Sequence, residues 1–424
     1  MKPQHIAVIG GGVSGMVAAH YLSRHHRVDL IEARNRLGGH ANTVSIGGKF
    51  GADADMPVDT GFIVYNDRTY PFFISFLQEL GIQGAATEMS FSYCDLERRL
   101  AYAGTNLAGV FARSRQLLDP RFWWFLGHIL RFNRRARSDL AAGVLDDLTL
   151  AEYLERLQAS PRLRRDYLAP MTQAIWSAPE ADALDAPAAS FIRFFENHGL
   201  LDPAQMPQWR YIKGGSTTYV QAFADQFPGR IRLGLPVRSV QRDTGTAPLI
   251  RYDGGEARYD AVVIAVHADQ ALALLEDADD AEQAALGEWR YSRNRAVLHC
   301  DPAHMPPYKR AWACWNVLRQ PATTARQPVQ VTYWMNRLQR FSAHAPWLLS
   351  LNPSPDVAAE KIAYATEYAH PVYTKASTAS QELLPGVSGR RETYFCGSYH
   401  GYGFHEDGAR SGALVARNYF GIDL

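Results

Sequence analysis

Gly10, Gly12 and Gly15 stand at the spacing G-x-G-x-x-G, with Gly11, Val13 and Ser14 between them. An apolar run, Ile6-Ala7-Val8-Ile9, precedes them, and Met16 to Ser23 reads as a helix. A second apolar run, Val28-Asp29-Leu30-Ile31, ends in Glu32. Each position has a chemical use. Gly10 permits a tight turn, Gly12 lets a pyrophosphate approach the backbone, and Gly15 allows the helix to lie against the strand. The helix start offers free N–H groups and a positive dipole end to phosphate oxygens. Glu32 is placed to accept hydrogen bonds from ribose hydroxyls. The segment predicts a βαβ unit that binds a dinucleotide.

Glu32 continues as Ala33-Arg34-Asn35-Arg36-Leu37-Gly38-Gly39-His40, and after an insert come Val58-Asp59-Thr60-Gly61-Phe62. Near the other end, Thr393-Tyr394-Phe395-Cys396-Gly397-Ser398 reads as a strand entering a turn. It is followed by His405-Glu406-Asp407-Gly408-Ala409-Arg410-Ser411-Gly412 at the start of a helix. This order of acid, arginine, double glycine and D-x-G, closed by a glycine turn and a helix, resembles the flavin-containing amine oxidase superfamily. That group includes monoamine oxidases, protoporphyrinogen oxidase and phytoene desaturases. The resemblance implies FAD, with Arg36, Gly38 and Gly39 forming a second cradle beside the pyrophosphate, and non-covalent attachment is expected because no cysteine or histidine stands in a flavin-linking context. It implies that Ala33, Arg34, Thr60 and Phe62 flank the cofactor, that Gly61 lies near the isoalloxazine, and that Val237 clasps the adenine through its backbone. It places the backbone of Glu406, Asp407 and Gly408 at the flavin pyrimidine, and Gly397 and Ser398 at the ribityl chain. His40 stands where many relatives carry arginine, and Ser398 where they carry an acid. Ser411 and Gly412 are read as helix packing.

The implied fold class is α/β: a Rossmann-type FAD domain of residues 1–75, 205–270 and 388–424. An interleaved α+β substrate domain takes residues 76–204 and 271–387. Within it Thr149-Leu150-Ala151-Glu152 is a capping box that predicts a helix. Ala296–His299 and Val329–Trp334 read as strands flooring a cavity.

Composition excludes several classes of function. The chain has 424 residues, 47% of them hydrophobic, with 44 basic against 43 acidic side chains. That balance opposes disorder and gives no field for nucleic acid. The four cysteines, Cys94, Cys300, Cys314 and Cys396, lack disulfide-scaffold or zinc spacing. No Ser/His/Asp arrangement is visible. His400 and His405 lack partners for a metal, so none is expected. The run from Ile6 reads as fold rather than signal peptide, and a cytoplasmic protein is expected, with the inner face of the membrane as the alternative placement.

Tyr402, Phe404 and His405 are the candidate catalytic residues. His405 is read as a base, a flavin-edge hydrogen-bonder or a structural group. Phe404 falls where monoamine oxidases, by the same resemblance, place an aromatic of a substrate cage; here it has no hydroxyl. Trp312, Trp315, Tyr333 and Trp334 are expected around them, in an elongated apolar tunnel. Beyond the superfamily, Asn197-His198-Gly199-Leu200-Leu201, Pro207-Gln208-Trp209-Arg210 and Gly401-Tyr402-Gly403-Phe404-His405-Glu406-Asp407-Gly408 resemble bacterial flavoproteins found beside cyclopropane fatty-acid synthases. That resemblance implies oxidation or desaturation of a fatty-acyl chain. An amine oxidase, or a non-catalytic flavoprotein partner of a lipid methyltransferase, are the rivals.

Residues 113–137 carry Arg113, Arg115, Arg121, Arg131, Arg134, Arg135 and Arg137 against Asp119 alone. On a helix, Phe122, Phe125, Leu126, Ile129, Leu130 and Phe132 share one broad face. Two readings stand side by side: peripheral membrane contact, or an ordinary helix burying that face. The tunnel mouth is expected near residues 121–137.

Overall fold

The computed structural model describes residues 2–176, 184–202, 205–243, 245–320 and 330–424. The first apolar run forms the strand His5–Ile9, whose Ile6, Ala7 and Val8 are wholly buried. It is central in a parallel five-stranded sheet ordered Arg230–Arg232, Arg27–Ile31, His5–Ile9, Ala261–Ile264, Thr393–Phe395. Such strands are apolar throughout because both faces are covered. One face carries the helices Val13–Leu22 and His405–Phe420, which pack on each other; the other carries Ala268–Leu274 and a three-stranded antiparallel sheet starting at Val237–Gln241.

The second large sheet has seven strands, ordered Ile362–Val372, Arg290–His299, Leu348–Leu351, Gln330–Trp334, Trp315–Arg319, Phe91–Asp95, Leu100–Ala103. All its pairs are antiparallel except Trp315–Arg319 with Phe91–Asp95. The expected strand over Val329–Trp334 is found from Gln330 onward, and Val329 lies outside the described residues. Helices cover this sheet, among them Leu150–Arg156, whose Thr149–Glu152 capping box is present.

The arginine-rich segment forms the helix Pro120–Ala141, with Asp119 accepting from the Arg121 N–H. Its expected apolar face does pack inward: Phe122, Phe125 and Phe132 are buried, and Leu126 and Ile129 half-buried. Leu130 is the departure, lying exposed. Among the described residues no helix is long and apolar enough to cross a membrane.

Candidate flavin and substrate site

Where the glycine turn, the second turn and the C-terminal helix converge, a cavity of ≈ 960 Å³ opens. Gly10 has φ +107°, and a Cβ there would stand 2.5 Å from the Ala265 carbonyl oxygen. At Gly15 a Cβ would collide with the Gly10 carbonyl oxygen, so the helix lies hard against the turn. Gly12 is different. Its backbone is extended, and a Cβ would meet nothing within 4 Å. The space before it is cavity, which Val13 and Ser14 also line. The Glu32 carboxylate accepts from Gly11 N–H at 2.7 Å and Arg34 N–H at 2.8 Å, which fixes its direction on the wall.

The double glycine folds back on this turn. Gly38 donates to the Gly11 carbonyl at 2.8 Å, and Gly39, at φ +57°, would bring a Cβ within 3.3 Å of Gly12 Cα. Gly38, Gly39, Ala33, Arg34 and His40 line the cavity. Arg36 does not line it, contrary to the expected place beside the phosphates. Its guanidinium bonds the carbonyls of Leu37, Gly39 and Ala41 at 3.0–3.2 Å, so it holds the shape of the glycine turn. Thr60, Gly61 and Phe62 line the cavity next to His40, and Val237 lines it as well.

His40, His267 and His370 form a group of rings that no motif in the sequence anticipates. His40 lies 6.4 Å from His267 and 5.5 Å from His370, and stacks on Tyr368 at 4.9 Å. Burial first, then the neighbouring imidazoles, hold His40 well below its ordinary pKa. Burial brings His370 down to about 4. Among the described residues His40 Nε2 is buried without a hydrogen-bond partner. An unpaired nitrogen, an open face at Gly12, two helix N-termini at the cavity and an oriented carboxylate all fit a dinucleotide's phosphates and ribose.

At the C-terminal motif Gly397 and Ser398 line the cavity, whereas Glu406, Asp407 and Gly408 lie behind its wall. The Glu406 carboxylate accepts from Phe72 and Phe73 N–H, and burial raises its pKa to about 7. Asp407 accepts from Phe404 N–H, and burial raises it to about 6. A Cβ on Gly408 would stand 2.7 Å from Val13 Cγ1, so this glycine lets the two helix starts meet. Ser411 bonds Gly397 and Gly408, as packing requires.

The reverse end of the cavity is aromatic and aliphatic. His405 stacks on Phe62 at 3.7 Å, and its Nε2 is 2.7 Å from Tyr219 Oη. Burial lowers its pKa to about 3, so the ring is neutral and a poor base. Tyr402 lines the cavity with its pKa raised by burial, so it keeps its proton. Phe404 stacks on Phe194 at 4.8 Å, Phe194 on His198 at 3.9 Å, and His198 on Trp209 at 5.8 Å. Trp315 and Tyr333, as expected, join the wall, with Leu349 and Leu351 from the neighbouring strand. Trp312 and Trp334 do not: they pack edge to face at 5.3 Å, with Trp312 Nε1 on the Pro306 carbonyl. Nor does any residue of 113–137 line the cavity. That helix packs outside the helix Ala188–Asn197, which supplies Phe194, so the expected mouth there is not found. His198 and Trp209 had a signal in the motifs quoted above; Leu349 and Leu351 had only strand alternation, which any core strand shows.

Residues 13–309 match the family described as flavin containing amine oxidoreductase. The protein named flavin-containing monoamine oxidase AofH, of Mycobacterium tuberculosis, is 29% identical over 288 residues, 63% of this chain and 58% of that protein. The flavin-dependent L-tryptophan oxidase RebO of Lentzea aerocolonigenes is 25% identical over 254 residues, 55% of this chain and 51% of that one. The chain thus spans little more than half the length of these curated relatives. Among solved structures, a fatty acid isomerase of P. acnes, described as producing CLA, superposes with TM-score 0.70 at 14% identity over 99% of both chains. Putrescine oxidase bound to putrescine gives 0.69 at 15% identity, again over 99% of both. These identities speak for the fold. The chain belongs to the flavin-containing amine oxidoreductase family, and FAD is its cofactor.

Proposed function

We propose that the protein is an FAD-dependent oxidoreductase that dehydrogenates a hydrophobic substrate, a fatty-acyl chain in the best-supported form. The observation that carries this reading is the apolar end of the cavity, where Ile63, Val64, Ile175, Leu349, Leu351 and Phe404 meet. Each methylene buried there contributes about 0.8 kcal/mol to binding. A small ammonium group would call for a carboxylate or a polar aromatic cage, and Phe404 brings no hydroxyl to such a cage. The wall carboxylates are Glu32, held in the glycine turn, and Glu367, exposed beside Arg293 on the edge strand of the large sheet. Bound FAD would supply the two-electron acceptor, taking hydride at N5 from the substrate carbon. The side chains supply the rest. Phe404 and Phe194 press the chain into one orientation and exclude water. His405 and Tyr402, both uncharged, offer hydrogen bonds, and the proton lost with the hydride would pass by way of these groups to the solvent-exposed rim of the cavity. In this reading residues 1–75, 205–270 and 388–424 serve FAD, and 76–204 and 271–387 serve the substrate.

The fold is shared with a fatty acid isomerase and equally with putrescine oxidase, so it accommodates an acyl chain as well as an amine. A methyl-branched or cyclopropanated chain would follow from the resemblance to flavoproteins beside cyclopropane synthases. The relatives named as monoamine and L-tryptophan oxidases favour the second reading, amine oxidation releasing hydrogen peroxide. The test is anaerobic mixing of the yellow holoprotein with fatty acids and with amines. Bleaching of the flavin by acyl chains alone supports the first reading. Bleaching by amines alone sinks it. If neither acts and the protein co-purifies with a lipid methyltransferase, a non-catalytic partner role replaces both.

A further inference from the structure

We infer that the surface made by residues 107–134 is an interfacial face that docks on an anionic lipid bilayer. Among the described residues ten large apolar side chains are exposed, and six of them fall here: Leu107, Leu117, Leu118, Trp123, Trp124 and Leu130. The other four are scattered, so the clustering is specific to this face. Leu118 is 84% exposed, Leu107 79%, and the two tryptophans about half. Large exposed apolar groups gathered on one face mark an interaction site.

The face is built, not frayed. Phe111 packs on Phe122 at 5.8 Å and on Trp123 at 4.9 Å, and Trp123 Nε1 donates to the Leu117 carbonyl at 2.9 Å. The turn before the helix and the helix Pro120–Ala141 therefore present their apolar groups together. Along that helix Trp123, Gly127, Leu130, Arg131 and Arg134 recur at i, i+4, i+7, i+8 and i+11, which is one side. This is the side left outside when Phe122, Phe125 and Phe132 turn into the core.

Charge decides the occupant. Arg115, Arg121, Arg131 and Arg134 are exposed, and among the described residues none is within ion-pair distance of a carboxylate. Arg135 and Arg137, by contrast, are paired with Asp139, Glu196 and Asp202. The fold adds cations from a distant segment: the exposed Lys309 and Arg310 lie on the short turn packed against Leu107–Val110, and Arg113 sits over Tyr308 at 5.7 Å. Single protruding leucines and tryptophans set among unpaired arginines suit the acyl and headgroup layers of an anionic bilayer. This inference does not depend on the substrate.

Flotation with vesicles of phosphatidylcholine, with or without phosphatidylglycerol, tests it on the holoprotein. Wild type should float with the anionic vesicles and at least about tenfold less with neutral ones. Arg115→Glu/Arg131→Glu/Arg134→Glu should weaken binding on the order of a hundredfold, and Leu118→Ser/Trp123→Ser/Trp124→Ser about tenfold. Flavin content and melting temperature identify any variant that misfolds, and the charge variant, on exposed side chains, then carries the test. The inference falls if wild type stays at the bottom with anionic vesicles, or if both folded variants float like wild type. It also falls if the serine variant abolishes self-association while flotation is unchanged, which would make this face a contact between copies.

Discussion

The two ends of the cavity are built by opposite means. At the dinucleotide end the wall is backbone: Gly10, Gly12, Gly38 and Gly39 bring main-chain atoms to the space, and side chains such as Arg36 and Glu32 hold the turns in place. At the apolar end the wall is side chain: Phe194, Phe404, Trp315, Tyr333, Leu349 and Leu351, delivered by the helix Ala188–Asn197, the start of the C-terminal helix and three strands. The lesson is that a backbone site requires particular residues, whereas an apolar wall requires only apolar ones.

Two glycines three positions apart sharpen this contrast. Gly12→Val places its branches in open cavity with an ordinary backbone, so the apoprotein should fold and melt like wild type. The valine would fill the phosphate space, and FAD affinity should fall about a thousandfold, or about 4 kcal/mol. Flavin absorbance after dialysis reads this, and retained flavin would overturn the phosphate assignment. Gly15→Val drives a branch into the Gly10 carbonyl, a backbone atom that cannot step aside. It should cost at least about 3 kcal/mol of stability with or without FAD, read by denaturant unfolding. If both variants behave alike, the separate roles of open space and close packing are wrong.

This difference governs what the sequence revealed. The glycine turns, Glu32 and the C-terminal strand–turn–helix were legible because each residue type answers a local backbone demand. Parallel pairing of Thr393–Phe395 beside Ala261–Ile264, over one hundred residues away, follows from their apolar character but not their order. Glu406, Asp407 and Arg36 were legible as part of the site but not in direction: their charged groups turn to neighbouring N–H or carbonyl groups, a choice fixed only when Phe72 and the second turn arrive. The histidine group around His40 was hidden, because His267 and His370 meet only once the two sheets are in place. Leu349 and Leu351 were invisible as site residues, since a cavity wall and a core strand read alike.

The two ends also differ in how burial treats charge. His198 and His370 are brought down to about 4 and His405 to about 3, all by burial. An unfolded chain would bind protons at these rings below pH 6.5 that the folded chain refuses, so stability is present above 6.5 and is lost as pH falls toward 4. Glu406 and Asp407 run the other way: raised to about 7 and 6, they hold protons when folded that the unfolded chain has released, so stability falls as pH rises through 6–7. The apoprotein should therefore unfold most readily in acid, with a shallower loss above about pH 6. His198→Phe should remove up to about one proton from the acid limb, a change of at most about 3 kcal/mol at pH 4. Glu406→Gln should flatten the upper limb. Denaturant midpoints across pH read both, and an unchanged acid limb in His198→Phe would show that His198 is not buried neutral.

The smallest expected effect probes the apolar end directly. Phe404 caps the C-terminal helix through its backbone N–H, which reaches Asp407 at 3.0 Å, and alanine keeps that bond. Phe404→Ala should therefore fold and retain FAD like wild type. What it loses is the ring stacked on Phe194, and with it one wall against the substrate. Contact of this kind acts on ground state and transition state alike, so KM should rise about tenfold, or about 1.4 kcal/mol, while kcat stays nearly constant. Phe404→Tyr separates the substrate readings further. Its hydroxyl would enter an aromatic surround set by Phe194 and His198, so it should weaken an acyl substrate, and without a carboxylate beside it should confer no amine turnover. Amine turnover appearing in Phe404→Tyr would mean that this end was one hydroxyl short of an amine site. Loss of flavin in Phe404→Ala would mean that the two ends are one site after all, and the division between backbone wall and side-chain wall would fail at the helix that joins them.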